Sequence, residues 1–383
     1  MAEQDASTNL QATRPAVQVD VPFSSNAIRL SQREWVIALV IVAALFCLIP
    51  AGWERIEAFE PDDDYRVPYG LSDDYWMYSR HCRSACGQGR IPVIGDSVVW
   101  GHYVSADETL SHYLNEIGGF PRFANAGVDG THPAALAGLI EYYGRSISGK
   151  KVVLHCNLLW MSSEKHDLQS EKEFAFNHPR LVPQFYPDIP CCKEPASGRI
   201  SAIIERNLPF LSWTSHVRAA YLQNSDLPTW TLENPYRNPI GAVTLELPSP
   251  DQPPSPKPVA EPWTRKGIAR INPSWVELQT SFQWSCFKRT VDILDHRGNR
   301  VFVLVGPFNE HMLKADSQRI YTRTRSEVEA WLQERRIACY IPPALPSDYY
   351  ADASHPLSEG YAMLAGLLLE NEAFIGFNGQ PMP

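Results

Sequence analysis

Hydrophobic and polar positions follow three regimes along the chain. Residues 35–53 (WVIALVIVAALFCLIPAGW) carry no charged side chain, and about 20 apolar residues are what the hydrocarbon core of a bilayer requires. The run predicts a transmembrane helix over residues 34–53. From residue 91 short apolar runs alternate with helical periodicity. A strand is predicted over 91–94, ending in Gly95, then a helix over 109–117 closed by Gly118 and Gly119, an extended segment over 122–126 and a helix over 133–143. Residues 151–156 (KVVLHC) form a β-branched run suited to a strand covered on both faces. Regularity lapses over 163–270, where Pro and Trp are frequent and the stretch LPSPDQPPSPKP (247–258) excludes helix and central strand. This segment reads as an irregular insertion. The alternation then resumes with a helix over 274–294, a strand over 301–305, a helix over 317–335, a strand over 337–341 and a helix over 357–370. Strands alternating with helices predict one parallel sheet with helices on both faces.

The flanks set the topology. Residues 1–33 are polar and irregular and read as a disordered tail; residues 54–90 are acidic and aromatic and read as a neck. Arg14, Arg29 and Arg33 precede the apolar run, whereas Glu54, Glu57, Glu60, Asp62, Asp63 and Asp64 follow it with Arg55 alone among them. By the positive-inside rule the N-terminus stays in the cytoplasm and the chain after residue 53 is exported. The long leader and the absence of a small-residue cleavage site favour an anchor over a cleaved signal. Phe46 before Cys47 excludes a lipoprotein signal.

Composition removes several classes. A formal charge of -9 without a Lys/Arg-rich run gives no footprint for nucleic acid. No G-x-G-x-x-G or P-loop pattern follows a strand, so no nucleotide cofactor is indicated. His155 and His166 lack helical metal spacing and a carboxylate partner and read as structural, and no metal site is expected. Outside the membrane, oxidising conditions favour disulfides among Cys82, Cys86, Cys191 and Cys192. Cys156, Cys286 and Cys339 read as buried thiols.

In an open parallel sheet, chemistry collects where strands end. Four segments meet that condition. Gly95-Asp96-Ser97 follows the first strand and presents a hydroxyl at a sharp turn. Asn125-Ala126-Gly127 follows the second, and Asn157 follows the third. Asp352-Ala353-Ser354-His355 precedes the last helix, at a spacing that lets the carboxylate orient the imidazole. Asn309 and His311 follow the fourth strand and are candidate cleft residues, as is Asp96. Trp213, Tyr221, Trp230, Tyr236 and Trp263 of the insertion suit either sugar stacking or packing, with packing favoured.

In that order, G-D-S, N-x-G, a strand-terminal Asn and D-x-x-H resemble the SGNH/GDSL hydrolase family, over residues 91–161 and 300–370. The resemblance implies a flavodoxin-like sheet of about five parallel strands. It also implies Ser97 as nucleophile and first oxyanion donor, Gly127 and Asn157 as further donors, His355 as base and Asp352 as its orienter. The family's G-x-N-D block is replaced here by His155-Cys156-Asn157-Leu158, which marks a divergent branch. The resemblance with the anchor implies an esterase at the outer face of a bacterial cytoplasmic membrane, removing acyl groups, acetyl foremost, from a carbohydrate or surface polymer. The alternatives are an O-acyltransferase to a sugar hydroxyl and a non-catalytic polymer-binding relative.

Overall fold

The computed structural model describes residues 30–171 and 177–379, so residues 1–29 of the expected tail lie outside the described residues. The chain divides into two compact units, one ending at Leu48 and one running from Ile49 onward. Helix α1 (Gln32–Ile56) has 25 residues, a length of roughly 37 Å at the usual rise. Trp35, Leu39, Val40 and Leu48 on it are exposed. It is long and apolar enough to cross a membrane and is a candidate span.

From Ile49 onward the fold is a three-layer α/β/α arrangement. The elements in order are α2 (Tyr75–Gly87), β1 (Ile91–Gly95), α3 (Ser97–Trp100), α4 (Leu110–Gly118), β2 (Phe123–Gly127), α5 (Pro133–Gly138), β3 (Lys151–Cys156), α6 (Ala196–Asn207), α7 (Pro209–Tyr221), α8 (Leu227–Glu233), α9 (Pro239–Ala242), α10 (Phe282–His296), β4 (Arg300–Val305), α11 (Ala315–Glu334), β5 (Ala338–Tyr340), α12 (Ser358–Glu370) and α13 (Glu372–Gly379). The five strands lie in the order β2-β1-β3-β4-β5, all neighbours parallel. This is the flavodoxin-like order, whose chain reverses direction across the sheet between β1 and β3 and so opens a crevice at their carboxyl ends.

Side chains alternate between the two faces with the period of two that a strand imposes. Ile94, Val152, Leu154, Val303 and Val305 join one core with Tyr78 of α2, Phe287 of α10 and Val328 of α11. Val93, Val153, Phe302 and Leu304 join the other with Leu114 of α4, Leu364 of α12 and Phe374 of α13. Burial on both faces explains why the strands read as continuous apolar runs.

Four expectations are corrected. The insertion carries four helices, α6 to α9; its Tyr221, Trp230 and Trp263 are buried, in line with the packing role favoured for them, while Tyr236 is exposed. The neck is part of the domain: α2 lies within it, and Arg66, Met77 and Tyr78 are buried. Helix α10 begins at Phe282, because Ser281 Oγ caps it by accepting the Trp284 N–H at 3.0 Å, and Asp167 accepts the N–H groups of Phe282 and Gln283. The expected disulfides are not formed: Cys82, Cys86 and Cys192 are buried, unbridged thiols. Cys82 and Cys86 are on one helix face with thiols pushed up by burial.

A buried ionic cluster ties the first residues after α1 into the domain. Glu57 accepts from Trp53 Nε1 at 3.0 Å, from His216 Nε2 at 2.9 Å and from the Tyr221 hydroxyl, and pairs with Arg80. His216 Nδ1 lies 2.5 Å from Asp74 Oδ2. Burial alone would depress the imidazole, but the Asp74 and Glu57 charges outweigh it and raise His216 to about 9.

Candidate active site

The site begins at the junction of β1 and α3. Gly95 is in register with Gly127 on β2. A Cβ at Gly95 would meet Val99 Cγ2 at 2.4 Å, and one at Gly127 would meet the Trp100 amide nitrogen at 2.5 Å. Only glycines let α3 fold back this closely onto the strand ends. Asp96 caps α3 by accepting the Val98 N–H at 3.0 Å, and Ser97 is the first residue of the helix. The Ser97 N–H is therefore one of the helix's orphan donors.

Asp96 also binds the ends of β1 and β3 together. Its second oxygen accepts from Asn157 Nδ2 at 2.7 Å and Trp160 Nε1 at 2.9 Å, and His155 Nδ1 lies 3.2 Å from the first. Burial would raise this carboxyl, but His155 and the two donors more than offset it and hold it at about 2. Asp96 is thus a buried strut beneath Ser97 and not an open cleft residue.

The loop before α12 supplies the partner groups. It is closed by an antiparallel bridge between Tyr350 and Pro356 and by the Ala351 N–H donating to the His355 carbonyl at 2.9 Å. Asp352 Oδ1 accepts the N–H groups of Ser354 and His355, both at 3.0 Å, and each Asp352 carboxylate oxygen lies 2.9 Å from His355 Nδ1. On its other side, His355 Nε2 lies 2.8 Å from Ser97 Oγ. Burial opposes the charge of Asp352, yet His355 and the backbone donors drive its pKa well below the usual carboxylate range. Burial likewise opposes imidazolium, and Asp352 overcomes it and raises His355. An ionised carboxylate only accepts hydrogen bonds, so Nδ1 carries the proton and Nε2 offers its lone pair to the Ser97 hydroxyl. Ser97, His355 and Asp352 therefore form a contiguous hydroxyl–imidazole–carboxylate relay.

Asn309 and His311 have separate places. Asn309 is fully buried; its Nδ2 donates to the Asp352 carbonyl at 3.0 Å and its N–H to the Ala353 carbonyl at 2.9 Å. It steadies the relay loop from behind. His311 is exposed and its Nε2 contacts the Leu345 carbonyl at 2.9 Å, a loop staple.

The donors expected for an oxyanion are distributed differently from the sequence reading. Asn157 spends one amide N–H on Asp96, which leaves its second. Gly127, in contrast, donates its N–H to Asn125 Oδ1 at 3.0 Å and is engaged elsewhere. Its small size, not its amide, is what the site uses. The N–H of Gly130, in the loop after β2, has no partner among the described residues.

Besides Gly130, four residues here escaped the sequence reading. Tyr103 donates its hydroxyl to Asp352 Oδ2 at 3.0 Å, and its ring centroid is 5.5 Å from that of His355. His102, its neighbour, also has its ring 5.5 Å from His355. Asp129 Oδ1 lies 2.7 Å from His102 Nδ1. Arg66 lies over the Trp100 ring at 3.9 Å and donates to the carbonyls of Trp100, Gly101 and Val104 at 2.7–2.9 Å, fixing the loop that carries His102 and Tyr103. The signal for Tyr103 and His102 was their position a single short turn after Ser97; nothing local marked Arg66. Among the described residues no group of three or more His, Cys, Asp or Glu side chains is arranged to hold a metal.

Comparison of the chain with models of known protein families returns no match, and comparison with curated proteins returns none either.

Proposed function

We propose that this protein is a membrane-tethered serine esterase of the SGNH/GDSL type that removes acyl groups, acetyl foremost, from a carbohydrate or surface polymer. The observation that carries the reading is the relay itself, with Ser97 Oγ 2.8 Å from a His355 whose far side is held by Asp352. His355 Nε2 takes the Ser97 proton as Oγ attacks the ester carbonyl. The negative charge on the carbonyl oxygen falls to the Ser97 N–H, the second Asn157 N–H and the Gly130 N–H. His355 then gives its proton to the departing alcohol, leaving acyl-Ser97, and water or another hydroxyl repeats the sequence in reverse.

The charge asymmetry around α1 supports an outward-facing domain on a bacterial cytoplasmic membrane. Transfer to a sugar hydroxyl is the second reading, because the same acyl-Ser97 serves it and an anchored enzyme works beside its polymer. A purely binding role leaves the aligned relay without a use. The test is labelling of the full chain in detergent with a fluorophosphonate probe and peptide mapping. Label on the peptide containing Ser97 is expected; label absent, or unchanged in Ser97→Ala, contradicts the reading.

A further inference from the structure

A second imidazole–carboxylate pair faces the relay. His102 Nδ1 lies 2.7 Å from Asp129 Oδ1, and the His102 and His355 rings are 5.5 Å apart with planes inclined at 39°. Both partners are positioned from the backbone: the His102 N–H donates to the Ser97 carbonyl at 3.1 Å, and the Asp129 carbonyl lies 2.8 Å from His178 Nε2. Asp129, as a carboxylate, accepts a hydrogen bond from the His102 Nδ1–H and so leaves the lone pair of His102 on Nε2. That nitrogen has no partner among the described residues, and the His102 side chain keeps 26% of its surface exposed. His102 and Tyr103 also line a cavity of about 290 Å³ together with the proline segment of the insertion, including Pro253, Pro254 and Pro258. Of the two cationic side chains in its lining, Arg66 is spent on backbone carbonyls, and Lys257 shares the proline segment with Asp251.

We infer that His102, held by Asp129, binds a second hydroxyl of the alcohol that leaves from or attacks acyl-Ser97, so that the site selects a polyol such as a sugar over a simple alcohol. The inference rests on the acyl-Ser97 reading. The cavity is at the small end for ligand sites, which suits a single sugar ring. A lone-pair acceptor beside carboxylates favours a neutral hydroxyl over an anion. In the reaction the Ser97 ester bond breaks as the acceptor's oxygen–acyl bond forms, and the acceptor proton passes through His355 Nε2 to Ser97 Oγ. His102 holds a neighbouring hydroxyl and exchanges no proton. By microscopic reversibility the same contact serves the leaving alcohol of an ester.

The readout is the ratio of kcat/KM for a methyl glucoside monoacetate to that for ethyl acetate, measured on the full chain. The ratio cancels any loss at Ser97 common to both esters. The wild-type protein is expected to favour the glucoside ester. His102→Ala is expected to lose most of that preference, His102→Gln to keep part of it through its amide oxygen, and Asp129→Asn to lose it by releasing the tautomer. Unchanged ratios in folded His102→Ala and Asp129→Asn, or no wild-type preference, would overturn the inference and leave the esterase reading standing. Absence of acyl-Ser97 in the wild-type protein by intact mass would overturn both.

Discussion

The Tyr103 hydroxyl donates to Asp352 Oδ2 at 3.0 Å across 249 residues of sequence, joining the loop between α3 and α4 to the loop before α12. Tyr103→Phe removes one donor from the carboxylate that orients His355 and leaves the ring in place. A hydrogen bond to a charged group is worth about 1.5–3 kcal/mol, so kcat/KM on a small acetyl ester is expected to fall by about tenfold or more at an unchanged unfolding midpoint. The pH profile provides a second readout. His355 is raised by Asp352, and only neutral imidazole accepts the Ser97 proton. Activity in the wild-type protein is therefore expected to rise with pH through a midpoint above the ordinary His value, and Asp352→Asn to move that midpoint down.

Arg66→Ala takes the charged donor from the buried carbonyls of Trp100 and Gly101, which keep only the Asn125 Nδ2 contact at 3.5 Å and the Val104 N–H at 3.2 Å. A hydrogen bond from a charged group is worth about 1.5–3 kcal/mol. A loss of about 3–5 kcal/mol is expected, since a packed aromatic contact goes with it. Denaturant unfolding of the full chain in detergent measures this, and a midpoint equal to wild type contradicts the placement of Arg66.

The Glu57 cluster makes stability fall toward alkaline pH. His216 is held at about 9 in the folded chain, above its ordinary value of about 6.5. Its contribution is fully present below the ordinary value and is lost as pH rises through the folded one. Glu57 is lowered: burial opposes its charge, but His216, Tyr221 and Trp53 prevail, so its contribution is lost only as pH falls through that lowered value. Thermal unfolding across this range is expected to show an alkaline decline in the wild-type protein that His216→Gln flattens. A decline identical in the two proteins contradicts the assignment.

A reporter fused after residue 383 is expected to be active outside the cytoplasm, from the arginines before α1 and the acidic residues after it. Activity confined to the cytoplasm contradicts the orientation.

The sheet was legible wherever burial on both faces made strands into apolar runs, and β3 begins and ends at the residues expected, 151 and 156. The insertion was misread because its prolines look like breakers. Pro209, Pro228 and Pro239 instead occupy the first turns of α7, α8 and α9, where a missing N–H costs nothing. Helix α13 was missed because Asn371 both ends α12 and caps α13, accepting the Phe374 N–H at 3.1 Å. At the site, Ser97, Asp352 and His355 were legible because their order and strand-end positions carry the pattern. The commitment of the Gly127 amide to Asn125 was not, since a two-residue contact within β2 leaves no mark on spacing. Nor were the roles of Tyr103 and Asp129, which depend on loops that only the folded sheet brings together.

If Ser97 is a nucleophile driven by His355, a brief exposure to p-nitrophenyl acetate leaves a covalent mark that intact-mass spectrometry reads. The wild-type full chain is expected to gain one acetyl group that maps to Ser97, while folded Ser97→Ala and His355→Ala gain none there. Acetylation of the wild-type chain only at other residues, or nitrophenol release by folded Ser97→Ala at the wild-type rate, would contradict it.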